Sequence, residues 1–418
     1  LTQLHKIGFF VSDKRHFDYF KNVFEALHQK KVPFHMIVNN TRNEANAIIS
    51  DEYNHSMMEI AQQLGYPYRL MSELIESRAK YSYVVTTYSY KYTIRTDLPK
   101  LPEKLVHNTV RVLMRLSRWV KWNGALSKLQ AFHIAFDQKF RVTPEKFIGD
   151  KVILFPKGLD INLMRHPNPP LTGLVDEYFC HGPIDGRLIE EQTGKKPTMI
   201  GYPRYDTLKT LQETYKSKLA TEFDLDPAKK IISWIPTYVN RNGNRDYNMD
   251  DWLPFLESLL TEYEILVRPH PKRIEMGADN LIKKLKTAGF KVDVLAERDM
   301  NQLYSASDYI LCDYGGVVFS SIYTGSKLLM LNHSDHQSEM ESHYPLFVYK
   351  IREQLLNIDT IQLKMNQLNL SNLLKDEKLW LENEKLLNRL LMECFGGIKV
   401  GEGSQITALK LKELLENS

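Results

Sequence analysis

Apolar residues along this chain alternate between two patterns, short continuous runs and longer stretches in which they recur every three or four positions. Lys6–Val11 is a continuous run, and Phe17, Phe20, Val23, Phe24 and Leu27 follow it at helical spacing. Lys31-Val32-Pro33 closes that helix, and Phe34–Val38 is the next run. This is the strand–helix–strand opening of an α/β domain. Helical spacing returns over Met57–Leu64 and Leu70–Glu76. Strands are predicted at Tyr83–Thr87, Lys151–Phe155, Asp176–Cys180 and Pro197–Ile200, with a helix over Ile184–Gln192. The alternation is that of a doubly wound sheet.

The composition changes around Lys209–Lys230, where a charged helix and an LDPAKK turn interrupt the pattern. A second series of strands then follows: Ile231–Ile235, Glu264–Val267, Lys291–Leu295, Tyr309–Cys312 and Lys327–Leu331. Helices over Asp251–Leu260, Leu281–Ala288, Asn301–Ser305 and Val317–Tyr323 separate them. Helical patterns fill Ile351–Leu356, Ile361–Leu370 and Lys378–Met392, and Gly401-Glu402-Gly403-Ser404 introduces a last helix, Gln405–Glu416. A chain of 418 residues exceeds one ordinary core. The predicted division is an N-terminal domain over 1–208, a second domain over 209–396, and a C-terminal helix, 397–418, that crosses back to the first.

Bulk composition narrows the class. Hydrophobic residues make up 43% and charged residues 25%, the balance of a soluble globular protein. A net charge of +4 gives no reason to expect nucleic acid as a partner. Cys180, Cys312 and Cys394 lack metal-site spacing and read as reduced core residues of a cytoplasmic protein. No run reaches the roughly 18 to 20 apolar residues of a membrane span, and the opening stretch does not read as a signal peptide. Glu103–Lys128 stands apart. There Val106, Val110, Leu113, Leu116, Trp119, Val120 and Trp122 mix with Arg111, Arg115, Arg118, Lys121 and Lys128. A helix of this kind suits the inner face of a membrane, its arginines on anionic head groups and its tryptophans at the boundary. The competing reading is a helix packed on the sheet with a solvated basic face.

The chemistry gathers at strand ends. In the stretch Ser307–His333, a buried strand runs through Gly315-Gly316 into a helix, and Gly325 ends that helix before the next strand. Such a turn offers backbone N–H groups and the positive end of a helix dipole to a phosphate or diphosphate. The plain alternative is a βαβ turn whose glycines serve close packing. Arg268-Pro269-His270-Pro271 follows another strand, with the prolines fixing the backbone that aims His270. His270 can exchange a proton with a diphosphate. Arg268 suits bidentate phosphate contact, and Lys272 lies beside it. Asp313 ends a buried strand and can orient the loop or hold a ribose or a cation. Thr237 follows a proline at a strand end and can bind phosphate or cap. Ser320 and Ser321, a turn into the helix, can bind the donor, cap or pack. His16 reads as a surface residue.

Taken in order, Gly201-Tyr202-Pro203-Arg204-Tyr205-Asp206, Ile235-Pro236-Thr237-Tyr238, Arg268-Pro269-His270-Pro271, Asp313-Tyr314-Gly315-Gly316 and Gly401-Glu402-Gly403-Ser404 resemble the CDP-glycerol glycerophosphotransferase family, whose members build teichoic acids and related capsule polymers. The likeness runs from about Lys151 to the C-terminus. It implies an α/β, GT-B-like fold of two doubly wound Rossmann-type domains facing a central cleft, acceptor domain first and nucleotide-donor domain second. It implies a transferase with no cofactor. An acceptor hydroxyl attacks the β-phosphorus of a CDP-linked alcohol and CMP leaves. The implied partners are the nucleotide donor, a lipid-linked or polymeric acceptor and the cytoplasmic membrane surface, with no nucleic acid. The family has a histidine, its favoured base, where this chain reads Phe155-Pro156-Lys157-Gly158-Leu159-Asp160. A lysine with a reference pKa of about 10.4 is a poor base at neutral pH but a good anion anchor. The proton then falls to Asp160 or to His181, which begins His181-Gly182 one strand later, while Gly158 and Arg204 complete the acceptor side. The family also has small hydroxyl residues at the positions of Gly315 and Gly316. Three other readings stand beside the transfer of glycerol phosphate: a glycosyltransferase using a CMP- or UDP-linked sugar, a nucleotide-sugar epimerase, and an inactive binding module.

The membrane reading of Glu103–Lys128 has a direct test. Charge reversal at Arg111, Arg115 and Arg118 to Glu is expected to abolish flotation of the protein with anionic liposomes, and unchanged flotation would remove that reading.

Overall fold

In the computed structural model, the residues described are 2–11, 14–41, 51–87, 94–95, 141–142, 144–159, 175–237, 247–275, 277–295, 298–313, 315–332, 351, 353–365 and 369–418. The basic helix expected over Glu103–Lys128 lies outside them, as does Asp160. The chain divides into one unit of Leu1–Lys157, Pro167–Arg204 and Ser404–Ser418, and a second of Gly158–His166 and Tyr205–Gly403. The chain passes between the units at 157/158, 166/167, 204/205 and 403/404, where 208/209 and 396/397 were expected.

The first unit is built on a parallel sheet of seven strands. Its strands are β1 (Gln3–Val11), β2 (Phe34–Val38), β3 (Tyr68–Leu70), β4 (Lys80–Thr86), β7 (Gly149–Leu154), β8 (Glu177–Cys180) and β9 (Thr198–Met199). They lie in the order β3-β2-β1-β4-β7-β8-β9, while β5 (Ile94–Arg95) and β6 (Arg141–Val142) form a separate antiparallel pair. Apolar residues line both faces because parallel sheets are covered on both sides. Phe9, Val11, Met36 and Val38 point to one face and meet α1 (Lys14–Gln29), α2 (Asp51–Gln63) and, from the far end of the chain, Ala408, Leu411 and Leu415. Phe10, Ile37, Tyr81 and Val84 point to the other and meet α3 (Met71–Ser77) and α4 (Pro144–Ile148) through Met71, Leu74 and Ile148. Phe9 makes edge contacts with Phe20 and Phe24, residues placed one turn apart by the helical spacing of α1.

The second unit repeats the plan with six parallel strands: β10 (Lys230–Trp234), β11 (Tyr263–Val267), β12 (Lys291–Val292), β13 (Tyr309–Cys312), β14 (Leu328–Asn332) and β15 (Asn357–Asp359). Their order is β12-β11-β10-β13-β14-β15. Trp234, Ile265, Val267, Leu311, Leu329 and Leu331 build its core with Trp252, Leu253 and Leu256 of Tyr247–Glu257. Two short edge strands, β3 and β15, were not expected. Tyr68–Leu70 runs straight into α3, and Asn357–Asp359 stands between two stretches read as helical, Ile351–Leu356 and Ile361–Leu370. At three residues each, both are too short for alternation to mark them as strands. In both units, strands one, two and three run to one side of the sheet and strand four onwards to the other. The switch point therefore falls between β1 and β4 in the first unit and between β10 and β13 in the second, and ligands of such sheets bind beyond the strands' carboxyl ends at this point.

One side-chain chain in the first unit titrates in an accessible range. Lys6 Nζ donates to His35 Nε2 at 3.1 Å, and His35 Nδ1 lies 2.9 Å from Tyr81 Oη. Burial, with Lys6 and Arg69 nearby, lowers the His35 pKa from 6.5 to about 4. Between these values the unfolded chain binds a proton that the folded chain does not, so stability rises with pH from about 4 to 6.5 and is lost as pH falls through that window. Thermal unfolding of His35→Gln is expected to vary less over this range than that of the parent chain. Equal slopes would contradict the assignment.

Candidate functional site

In the second unit the switch point is tied by one buried carboxylate. Asp313 follows β13, is 4% exposed, and accepts the Thr237 N–H at 2.8 Å through Oδ1. Thr237 follows β10 by way of Ile235 and Pro236, both buried. The ends of the two central strands are thus joined where the sheet reverses direction. Gly315 caps α11 (Gly316–Thr324) with φ +92° and ψ −162°, a region open in practice to glycine alone. A Cβ there would also stand 3.4 Å from Thr237 Oγ1. Gly316 is different: its φ is not positive, and a Cβ would meet nothing nearer than Leu159 O at 3.8 Å. The turn thus brings Thr237, Asp313, Gly315 and Gly316 together, with the N-terminus of a nine-residue helix directly behind them.

The neighbouring strand end carries Arg268-Pro269-His270-Pro271. Arg268 donates its backbone N–H to Trp234 O at 2.8 Å, next to β10. Its side chain is buried. Nη1 donates to Asp293 Oδ2 at 2.6 Å and to Leu295 O at 2.8 Å, so that edge of the guanidinium is committed inside the protein. His270 is half-buried, and its carbonyl accepts from Arg273 N as Pro271–Glu275 begins its single turn of helix. The Lys272 side chain is outside the described residues. Ser320 and Ser321 do not stand with this group. Ser320 Oγ accepts from Tyr205 Oη at 2.9 Å, and both serines are buried, Ser321 fully, so their place in the helix turns them inward. Beside them Tyr304 is buried, and burial pushes its phenol well above the usual range. Asp206 closes the motif that contains Tyr205 by accepting Gly401 N–H at 3.0 Å, which joins two glycine-bearing motifs far apart in the sequence.

Lys157, His181 and Arg204, expected on the acceptor side, lie beyond strand ends of the first unit, and Gly158 falls in the second. Lys157 and Gly158 are half-buried just beyond β7, and Phe155 N donates to Thr86 O at 2.7 Å at the end of β4. His181 is fully buried at the end of β8. Its Nδ1 donates to Asp185 Oδ2 at 2.8 Å, and the same carboxylate accepts the N–H groups of His181 and Gly182. Its ring stands edge-on to Tyr202 at 4.7 Å. The pair therefore locks the turn into Pro183–Thr193 and leaves Nε2 as the ring's acceptor nitrogen. Arg204 lies over the Tyr19 ring at 5.3 Å, and its carbonyl and that of Pro203 accept from Asn22 Nδ2. A group that no motif announced sits nearby. Glu145, in the first turn of α4, is buried and accepts from Thr86 Oγ1 at 3.0 Å. The sequence signal was a Pro-Glu pair opening a helix, common enough to pass as a cap.

Strand ends that carry glycine amides, a histidine and carboxylates are where open α/β sheets bind their ligands, and comparison with known proteins gives what the chain is similar to. Residues 191–326 match the family model of CDP-glycerol:poly(glycerophosphate) glycerophosphotransferase, so the resemblance read from the motifs holds over the stretch that carries most of them. The chain is 29% identical over 163 residues to a teichoic acid glycerol-phosphate transferase of Staphylococcus aureus, which is 37% of this chain and 36% of that protein. It is 28% identical over 127 residues to a teichoic acid poly(glycerol phosphate) polymerase of Staphylococcus epidermidis, which is 29% of this chain and 17% of that one. The chain thus matches about a third or less of the length of these relatives. Its fold is that of the wall teichoic acid polymerase TagF, with a TM-score of 0.59 at 16% identity over 99% of this chain and 89% of the other. A UDP-GlcNAc 2-epimerase from Neisseria meningitidis shares the fold at a TM-score of 0.51 and 13% identity, over 100% of both chains. Among the described residues, no helix is long and apolar enough to cross a membrane.

The two glycines of the turn are expected to behave differently. Gly315→Ala should lower the unfolding free energy by roughly 1–3 kcal/mol because of its backbone conformation. Gly316→Ser should change it by no more than about 0.5 kcal/mol. Urea unfolding of the two variants checks both values.

Proposed function

We propose that this protein transfers a glycerol-phosphate-type group from a CDP-linked alcohol to a hydroxyl of a cell-surface polymer precursor. The observation that carries this reading is the family match over 191–326, which includes Gly201–Asp206, Thr237, Arg268–Pro271 and the Asp313–Gly325 turn. The staphylococcal relatives, named as a transferase and a polymerase of glycerol phosphate, support the same group, and a form of TagF soaked with CDPG supports a CDP-linked donor. The likeness to an epimerase is one of fold and favours no donor.

In this reading an acceptor oxygen attacks the β-phosphorus. The new P–O bond forms as the bond to the bridging oxygen breaks, CMP departs, and the acceptor proton passes to a base. The amides of Gly315 and Gly316, with the α11 dipole behind them, take the diphosphate, and Thr237 lies beside it. His270 protonates or hydrogen-bonds the leaving phosphate. The outer edge of Arg268 and Lys272 add positive charge. Asp313 shapes the turn. Lys157 anchors an anionic acceptor, Gly158 and Arg204 flank it, and Asp160 or His181 takes the proton. With His181 held on Asp185, Nε2 is its basic atom. The basic, aromatic segment 103–128 brings the protein to the inner face of the membrane.

The decisive measurement is nucleotide release from CDP-glycerol, CMP-sugars and UDP-sugars in the presence of a glycerol phosphate polymer. CMP from CDP-glycerol is the expected result, and release only from a sugar nucleotide would replace this reading with a glycosyltransferase. His270→Ala is expected to lower turnover by roughly 10² while the protein remains folded. Lys157→His is expected to raise turnover if the family's base chemistry is latent at that position, and to abolish it if Lys157 anchors the substrate.

A further inference from the structure

Behind the Arg268–Pro271 turn stands a group of charges that belongs to no motif. Asp293 follows β12, is fully buried, and donates its own N–H to Val267 O at 2.9 Å. Its carboxylate accepts four hydrogen bonds. Oδ2 takes Arg268 Nη1 at 2.6 Å and Arg298 Nε at 3.0 Å, and Oδ1 takes Arg298 Nη2 at 2.9 Å and Leu295 N at 3.1 Å. Two guanidinium groups are thus held against one carboxylate.

Arg298 has no donor left for a ligand. Besides its two bonds to Asp293, Nη1 donates to Glu222 Oε2 at 2.7 Å and to Gln302 Oε1 at 2.9 Å, and Nη2 donates to Glu222 Oε1 at 2.5 Å. All five guanidinium N–H groups are used, two pairs of them bidentately. The Phe223 ring lies 5.4 Å from its Cζ. Burial works against the charge, but the bonds to Glu222 and Asp293 outweigh it and raise the guanidinium pKa further. Arg298 holds, and what it holds is the carboxylate that holds Arg268. The outer end of the chain is Glu222, on the surface-lying helix α6 (Gln212–Phe223). The cluster contains two arginines and two carboxylates, so it is neutral as a whole, and loss of either carboxylate leaves positive charge uncompensated behind the turn.

We propose that Asp293 is a positioning residue for the donor-side turn, clamped by Arg298 with Glu222 as its outer anchor. Arg268 is fixed at two points, its backbone on Trp234 O and its side chain on Asp293, and the Pro269 and Pro271 rings carry that fixed direction to His270. The clamp sets where the outer edge of Arg268 points and sets the charge that His270 experiences. This inference rests on the proposed role of the turn in holding a nucleotide diphosphate.

The test uses the full chain with Asp293→Asn, Glu222→Gln and, as a control, Asp250→Asn, which breaks the exposed Lys284–Asp250 pair of the same unit. Asp293→Asn is expected to lower kcat for CMP release from CDP-glycerol by about 10² through misplacement of the turn, with KM changed by less than about threefold. The acidic limb of the pH–rate profile should move to lower pH, because uncompensated arginine charge lowers the pKa of a nearby histidine. Glu222→Gln should act in the same direction and more weakly, and the control should change neither quantity. The second readout needs no turnover: histidine-labelled protein followed by NMR should show the His270 ring titrating at lower pH in both clamp variants. A loss of melting temperature with kcat, the pH limb and the His270 titration all unchanged would overturn the proposal. If Asp293→Asn does not fold, an unchanged pH limb and His270 titration in Glu222→Gln overturns it. If the parent chain releases no CMP, the transferase reading fails, and the His270 titration still decides the clamp.

Discussion

The carboxyl edge of the second unit depends on the hydrogen bond between the Asp313 carboxylate and the Thr237 N–H. At the switch point the crossovers from β10 and β13 leave toward opposite faces, and the sheet alone provides no partner for the backbone between them. A buried carboxylate is costly unless it is hydrogen-bonded, and a buried N–H is costly unless it has an acceptor. Each resolves the cost of the other. With that point fixed, Gly315 can turn the chain in a conformation closed to other residues, and α11 begins with its N–H groups at the open end of the sheet. Tyr205 on Ser320 then secures the helix one turn further along.

The first unit reaches a related solution with different parts. Its switch point lies between β1 and β4, and the end of β4 is joined by Thr86 Oγ1 to the buried Glu145 carboxylate. The places differ: Thr86 lies on β4 and its acid on α4, whereas Thr237 follows β10 and its acid follows β13, and one pair is bonded through a hydroxyl and the other through a backbone amide. The same strand order in two units, each with its carboxyl edge organised by a buried acid, gives a donor side and an acceptor side in the proposed reaction.

Much of the fold was legible because its central strands are buried on both faces. Tyr309–Cys312 is an uninterrupted apolar run bounded by Asp308 and Asp313, and the strand has those limits. The edge strands Tyr68–Leu70 and Asn357–Asp359 were not legible, since each has three residues, too few to set a period, and pairs on one side only. The glycine and proline turns were readable for the same kind of reason: Gly315 and the prolines around His270 record a backbone geometry in the residue type itself. Ser320 and Ser321 were left open between donor binding, capping and packing, because a hydroxyl one turn into a helix looks alike whether it faces a ligand or an internal tyrosine. Asp293 and Arg298 were invisible to any local reading. Arg298 and Glu222 are 76 positions apart, and only the packing of α6 beside Arg298 brings them together.

The last helix, Gly403–Glu416, adds Ala408, Leu411 and Leu415 to the core that covers Phe9, Val11 and Met36. Residues of the first unit are therefore made both before and after nearly all of the second unit. The apolar stretch on their sheet has no cover until Gly403–Glu416 has been made. The second unit's intervening residues, by contrast, are all available before that cover arrives. The nascent chain must keep an incomplete early core soluble while a later one forms, and that core closes only when residues 408–415 reach it.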